Sequence, residues 1–380
     1  MNETVETTPS HMEPEVTEKS RLRRRARLPM KATKCQKGFE ESLKYEENVE
    51  ESQELGAHDV LVELHAASLN YRELAIANVE NGPAGTIVPD VVPGSDGAGV
   101  VKSVGSGVTA FKEGDRVITH LAPGVVESDG DEAPPAYANI AAGLGQAIDG
   151  TLRSEGIFTE AALVHAPESL GWLQAATLTC SGLTAWNSLF GLKGRAVGPG
   201  DWVLVQGTGG VSIAALQFAV AAGAVVVATT STEEKAARLL ALGAKHTINY
   251  QSNPDNWGQE ARDLTPGGKG FDMVVDIGGN ATLSQSLLAV RINGVVVAAG
   301  LSGGAAEPVP LLAALAHACI VRGLLLGSRS QLRDMVRFID EKGIVPVVDD
   351  MVFELSQTKE AYKWLLERKH FSKVAIRIDH

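Results

Sequence analysis

"WVLVQGTGGVSIAALQFAVAAGAVVVATTS", residues 202–231, decides the fold. Its first five residues form a mostly continuous apolar run, as expected for a parallel strand covered on both faces. Gly207 permits a tight turn after that strand, and Gly209 lets the backbone come close to a pyrophosphate. Gly210 opens a helix whose free N–H groups and positive dipole end favour phosphate. Thr208 and Val211 complete the loop. Ser212 stands where a third glycine is expected for close helix-to-strand packing, a mild departure because serine adds one small side chain. A glycine turn alone is a weak signal. Between a strand and a helix inside a βαβ unit it reads as a dinucleotide site.

The same texture continues outward from this unit. "VVVATT", "HTINY", "DMVVDI", "GVVVAAG" and "CIVRGLL" are further short apolar runs, and helical patterns such as "EEKAARLLALG" lie between them. Strands alternating with helices predict a doubly wound sheet of about six strands. After Ser330 an amphipathic helix, a strand-like "VVDDMVF", the helix "SQTKEAYKWLLER" and a last strand "KVAIRI" predict a return to an earlier domain. Upstream, "HDVLVELHAASLN" and "GSDGAGVVKSVGSGVTAFKEGDRVI" set β-branched runs between glycine turns, the pattern of a small antiparallel barrel. Residues 121–156 break that rhythm as one long loop, a length usually tied to function or motion. "SLGWLQAATLTCSGLTAWNSLFGL" has helical spacing.

Composition narrows the class. A chain of 380 residues, 44% hydrophobic, is too long for one compact core and predicts two domains. No apolar run approaches the roughly 20 residues needed to cross a bilayer. A net charge of −12 argues against nucleic acid as a partner, since phosphates would be repelled. Cys35, Cys180 and Cys319 lack paired spacing, so neither a disulfide framework nor a four-cysteine zinc lobe is expected, and a reducing cytosol fits. The first 28 residues are polar and acidic, too poor in apolar side chains to offset the entropy of ordering, and read as disordered. The run "RLRRRARL" at residues 21–28 reads as a solvated charge run, with a nuclear address or an anionic-surface patch as alternatives.

The end of the second strand chooses the nucleotide. An NAD site places Asp or Glu there, about 20 residues after the first glycine, to hold the ribose 2′-hydroxyl. Here Thr229, Thr230, Ser231 and Thr232 supply hydroxyls and no acid. That leaves room for a 2′-phosphate, to which Lys235 can add a charge-assisted hydrogen bond, and NADPH is the expected cofactor. The competing reading makes Lys235 and Arg238 a solvated helix face.

Taken together in this order, the chain resembles the medium-chain dehydrogenase/reductase superfamily over nearly all of residues 30–380. "AASLNYREL", "VPGSDGAGVVKSVGSGVTAFKEGDRV", "LTCSGLTAW" and "VLVQGTGGVSIAALQFA" are similar, more narrowly, to its zinc-free, quinone-oxidoreductase-like branch. The resemblance implies an α/β chain in four parts. A tail over 1–28 precedes a GroES-like β-barrel catalytic domain over 29–181. A Rossmann domain over 182–327 and a return to the catalytic domain over 328–380 follow.

In zinc-dependent members the metal is held by a cysteine, a Gly-His-Glu histidine and a later cysteine. The matching positions here are Asn70, Ser95 and Cys180. A catalytic zinc needs three protein donors, so no metal is expected, and Cys180 reads as a small buried hydrophobe. His65, His120 and His165 lack ligand spacing. Without a metal, hydrogen bonds alone must polarise the substrate, which favours electrophiles activated by conjugation: quinones, enones and enals. Hydride would pass from the nicotinamide.

In zinc-free relatives the Asn of the "LNYR" motif lies near the nicotinamide, which makes Asn70 and Tyr71 the expected catalytic residues. Asn70 would donate its amide N–H to a developing oxyanion. Tyr71 would donate a hydrogen bond or a proton, or wall the pocket. The competing reading gives Asn70 a backbone turn bond. Tyr250 matches a family tyrosine that approaches the adenosine 2′-phosphate. Gly278, Gly300 and Leu301 fall at the carboxyl ends of later strands, where a ligand is expected. Lys373 matches a C-terminal basic residue near the cofactor. The expectation is a cytosolic homodimer acting on a small electrophile, with no nucleic-acid or membrane partner. A zinc-free alcohol dehydrogenase or carbonyl reductase, and a nucleotide-binding protein without catalysis, stay open as alternatives.

Overall fold

The computed structural model describes residues 26–27, 38–47, 54–77, 87–304 and 306–378. The tail expected to be disordered, with its arginine run, lies outside these residues apart from Ala26–Arg27, which pair antiparallel with Glu46–Glu47.

The first half builds one antiparallel sheet from β1 (Asp59–Ser68), β2 (Asp96–Val104), β3 (Arg116–Thr119), β4 (Glu155–Thr159) and β5 (Leu163–His165). The second sheet contains β6 (Trp202–Gln206), β7 (Val225–Thr230), β8 (His246–Asn249), β9 (Phe271–Asp276), β10 (Val290–Ala298) and β11 (Ile320–Gly323). All its pairings are parallel, in the order β8-β7-β6-β9-β10-β11. The strand order reverses between β6 and β9, and a crevice for a ligand opens at such a switch point. The chain then returns to the first sheet with β12 (Val348–Glu354) and β13 (Lys373–Arg377). That sheet runs β12-β13-β1-β2-β3-β5, with β4 also on β1.

Seven helices matter for the site: α1 (Tyr71–Ala77), α2 (Leu183–Phe190), α3 (Gly210–Ala221), α4 (Glu233–Ala241), α5 (Asn280–Ala289), α6 (Arg329–Lys342) and α7 (Thr358–Leu366). In β6, Val203 and Val205 face one core and Leu204 the other, the period-two alternation of a strand covered on both faces. The core that receives Val203 and Val205 also contains Ala66, Ala98 and Ile118 of the first sheet and Leu178 and Leu183 between the sheets. One apolar mass therefore joins barrel and parallel sheet, and the site lies along that junction.

Two stretches add detail to the expected pattern. The loop read over 121–156 contains the short helices Pro123–Asp129 and Tyr137–Ala141. Arg329 holds it from α6 through Asp131 at 3.1 Å, and Arg72 holds it from α1 through the carbonyls of Leu144 and Ile140. The stretch before α2 contains a turn of π-helix, Leu178–Gly182. Such turns arise where one extra residue is accommodated in a helix, and they concentrate at functional sites.

Candidate active site

The glycine loop closes β6 onto α3. Gly207 has a φ of +75°, a left-handed conformation that a side chain disfavours, and its N–H donates to the Thr229 carbonyl at 3.0 Å. Gly209 caps α3, and a Cβ built at Gly207 or Gly209 would meet no atom of the described residues within 4 Å. Both glycines border open space, as a pyrophosphate cradle requires. Gly210 serves a different purpose. A Cβ there would lie 2.5 Å from Lys373 Cδ and 2.7 Å from Ser181 Oγ, so the helix start is pressed against two side chains from distant segments. Ser212 is fully buried, and its hydroxyl donates to the Gln206 carbonyl at 2.5 Å, tying α3 to β6. The serine supplies by a hydrogen bond the helix-to-strand closeness that a glycine would supply by its lack of a side chain.

Opposite the loop, Asn70 stands at the N-terminus of α1 and is 8% exposed. Glu73 accepts the Asn70 main-chain N–H at 2.6 Å, half of a capping box. The Asn70 side chain does not complete that box. Its Oδ1 accepts from Ser181 Oγ at 3.1 Å and from Lys373 Nζ, while its Nδ2 is buried with no partner among the described residues. A lysine ammonium can only donate, so the amide oxygen faces Lys373 and the NH₂ group faces away from it. Lys373 lies with its stem beside Gly210 of the glycine loop and its ammonium in the barrel wall. Nζ donates to the Leu69 carbonyl at 2.7 Å, to Asp96 Oδ2 at 3.1 Å and to Asn70, so all three donors are engaged. Asp96 is fully buried and also accepts from Ser68 at 3.0 Å and Ser95 at 2.9 Å.

Three members of this network, Asp96, Ser181 and Glu73, are not evident from the sequence. The one signal for Asp96 is an acid inside the glycine-rich strand sequence "GSDGAG". Burial pushes the Glu73 carboxyl above its ordinary range, opposed by Arg72 and Lys373. Tyr71, next to Asn70, stands 55% exposed at the first position of α1.

At the end of β7, Thr230 is buried and its carbonyl accepts the Tyr250 N–H at 3.1 Å, which sets Thr230, Ser231 and Tyr250 side by side. Lys235 is directed elsewhere: its Nζ donates to the His370 carbonyl at 3.2 Å, and burial lowers its pKa. Arg238 pairs with Asp350 at 3.1 Å and stacks on Phe371 at 3.9 Å, so it is not a merely solvated residue. Beyond β9, buried Asp276 accepts from the Gly278 N–H at 3.0 Å, the Gly279 N–H at 2.9 Å and Thr282 Oγ1 at 2.7 Å. It thereby fixes the turn into α5. Ser302 N–H reaches the Ile277 carbonyl at 2.9 Å, which brings the Gly300-Leu301 loop against Gly278, and Leu301 is left 79% exposed.

The residues at Asn70, Ser95 and Cys180 do not fit a metal ion. An ammonium already touches the Asn70 amide oxygen, and Ser95 donates a hydrogen bond from its hydroxyl to Asp96, which leaves Cys180 as the single ordinary metal donor of the three. Among the described residues no group of three His, Cys, Asp or Glu side chains is arranged to hold one. His120 is fully buried, with Nε2 at 3.3 Å from the Gly327 carbonyl and its pKa lowered to about 4 by burial. A nicotinamide dinucleotide does fit: Gly207 and Gly209 leave open space at the helix start and switch point, with hydroxyls at the end of β7.

Comparison with known proteins agrees with this fold. Residues 56–171 match the alcohol dehydrogenase GroES-like domain, and residues 210–341 match the zinc-binding dehydrogenase domain. A zinc-type alcohol dehydrogenase-like protein of Schizosaccharomyces pombe is 42% identical, covering 90% of this chain and 96% of the relative. The chain belongs to the medium-chain dehydrogenase/reductase superfamily. It is therefore an oxidoreductase of the nicotinamide-dependent type, with a GroES-like and a Rossmann-type domain. A Burkholderia 2-haloacrylate reductase is 34% identical over 64% of this chain and 64% of its own length. A solved structure from Sinorhizobium meliloti 1021, assigned as an alcohol dehydrogenase, superimposes with a TM-score of 0.82 at 37% identity, covering 93% of this chain and 98% of that one. Among the described residues, no helix of this superfamily member is long and apolar enough to cross a membrane.

Proposed function

We propose that this protein is an NADPH-dependent, zinc-independent reductase of small electrophiles activated by conjugation, such as enones, enals and quinones. The observation that carries this reading is the buried, unpartnered Nδ2 of Asn70, whose amide is oriented by Lys373. An unmet buried donor is costly, by about 1–3 kcal/mol, and a substrate oxygen would satisfy it. The likeness to a 2-haloacrylate reductase, whose name denotes reduction of an activated double bond, points the same way.

When bound, the cofactor supplies the hydride. The chain's own residues then have defined tasks. Gly207 makes the turn, and Thr208, Gly209, Gly210 and Val211 bring backbone N–H groups and a helix N-terminus to the pyrophosphate. Asn70 donates to the substrate oxygen as negative charge develops there. Glu73 holds the Asn70 main chain. Tyr71, exposed beside it, is the proposed source of the proton that completes reduction, or the wall of the pocket.

NADPH is proposed over NADH because Thr230 and Ser231 replace an acid, with Tyr250 adjacent. A 2′-phosphate would compete with the His370 carbonyl for Lys235. The expected preference is at least tenfold, about 1.4 kcal/mol, measured by titrating both cofactors. Equal affinities overturn the assignment. We also propose a cytosolic homodimer. Cys180 and Cys319 are free thiols, β11 is an edge strand, and Leu311, Leu312 and Leu315 are exposed near it.

The test of function is an NADPH-oxidation screen over quinones, enals, enones, saturated ketones and aldehydes. Conjugated electrophiles should turn over and saturated ketones should not. Preference for saturated ketones would make the protein a carbonyl reductase, and tight NADPH binding without turnover would make its role non-enzymatic. In single-turnover transfer to an enone, Asn70→Ala should fall roughly a hundredfold with NADPH affinity unchanged.

A further inference from the structure

We propose that Lys373 is a positioning residue that locks the Asn70 amide in one orientation and strengthens its N–H as a donor. The proposal rests on the reading of Asn70 as donor to the substrate oxygen.

A buried asparagine amide has two orientations that differ by exchange of oxygen and nitrogen. Ser181, the other partner of Oδ1, does not choose between them, because a hydroxyl can donate to an oxygen or accept from an NH₂ group. Only Lys373 discriminates, since an ammonium offers donors alone. Its position is over-determined. The side chain is 4% exposed, its charge is matched by fully buried Asp96, and its other donor is held by the Leu69 carbonyl. With the oxygen held there, the NH₂ group is left buried and without a partner among the described residues. A cation on the amide oxygen also draws electron density from the nitrogen, so the free N–H becomes a stronger donor to developing negative charge.

Lys373 further connects this amide to the glycine loop. Its stem fills the space that a side chain at residue 210 would need, and the N–H of the preceding Ser372 donates to the Thr208 carbonyl at 2.8 Å. The segment that anchors the phosphate loop therefore also aims the catalytic donor. This assigns Lys373 to the chemistry of the substrate oxygen and not to cofactor affinity.

Lys373→Met alone leaves Asp96 charged and buried, so the informative variant is Lys373→Met with Asp96→Asn, which removes both charges together. It is compared with the parent protein in two backgrounds, Asn70 and Asn70→Ala, by single-turnover oxidation of NADPH with an enone. With Asn70 present the rate should drop about tenfold to a hundredfold, no more than deletion of the donor itself. In the Asn70→Ala background the same pair should change the rate by less than about twofold, because Lys373 acts through an amide that is no longer there. NADPH affinity should stay within about twofold throughout. Equal losses in both backgrounds, a parental rate, or a marked loss of NADPH affinity would each overturn the proposal.

A readout independent of turnover uses side-chain ¹⁵N NMR of the Asn70 amide, assigned by its absence in Asn70→Ala. The parent should show one sharp pair of Nδ2 protons, and the double variant a pair that is shifted and either broadened or doubled by exchange between the two orientations. Identical signals in both proteins refute the lock whatever the reaction proves to be. A clear difference together with no enone reduction by the parent would reject the functional reading and leave the lock standing.

Discussion

The glycine loop and the barrel wall face each other across the same junction, yet they are built by opposite means. The loop is local: five consecutive residues shape it, and at two of its glycines an added side chain would meet no atom of the described residues. The wall is assembled from residues 69–70, 96, 181 and 373, closed to solvent and saturated with hydrogen bonds apart from one amide. An open backbone surface suits a charged cofactor that brings its own acceptors and must leave. A closed network suits a single donor that must not move when charge develops in front of it. In this reading, binding is placed on the loop and chemistry on the wall.

The largest expected effect tests whether the wall is the rigid side. Asp96→Ala leaves the Lys373 ammonium buried without its counter-charge, and removing one partner of a buried ion pair costs about 3–5 kcal/mol. Urea unfolding of the cofactor-free protein measures it. A loss under about 1 kcal/mol would mean that water or a neighbour compensates the lysine, and the contrast between a closed wall and an open loop would fail.

The same contrast decides what could be read from the sequence. β6, the loop and α3 are contiguous, and their strand, turn and helix signals each fall within a few residues, so the Rossmann-type half is legible down to Ser212. Runs such as "VVVATT" and "KVAIRI" match β7 and β13 nearly residue for residue. The wall has no such local signal. Lys373 lies 277 residues from Asp96, and only the return of β13 beside β1 brings them together. The π-turn that delivers Ser181 was equally hidden, because it changes helical register without changing the apolar spacing. Lys235 and Arg238 sit on a helix as expected, but their partners, His370 and Asp350, come from the returning segment.

The next effect separates two adjacent glycines. Gly210→Ala would put a methyl group against Lys373 and Ser181, and overpacking of this kind costs about 1–3 kcal/mol. Gly209→Ala has open space and an ordinary backbone, with φ −80° and ψ 173°, so stability should change by less than about 0.5 kcal/mol. Cofactor titration should give the reverse emphasis, since the Gly209 methyl occupies the open surface. Should both variants lose stability alike, the loop is not free of the wall at Gly209.

The smallest effect concerns the departure at Ser212. If serine is a clamp, Ser212→Ala removes the bond to the Gln206 carbonyl and costs about 1 kcal/mol. Ser212→Gly loses the same bond and adds backbone freedom to the unfolded chain, a further 0.5–1 kcal/mol or so, and should be the less stable of the two. If serine is merely tolerated where glycine packs best, the order reverses, and Ser212→Gly equals or exceeds the parent. Urea unfolding of the two variants without cofactor distinguishes these orders. NADPH affinity should be unchanged in both, because the hydroxyl is buried against β6, away from the open face of the loop.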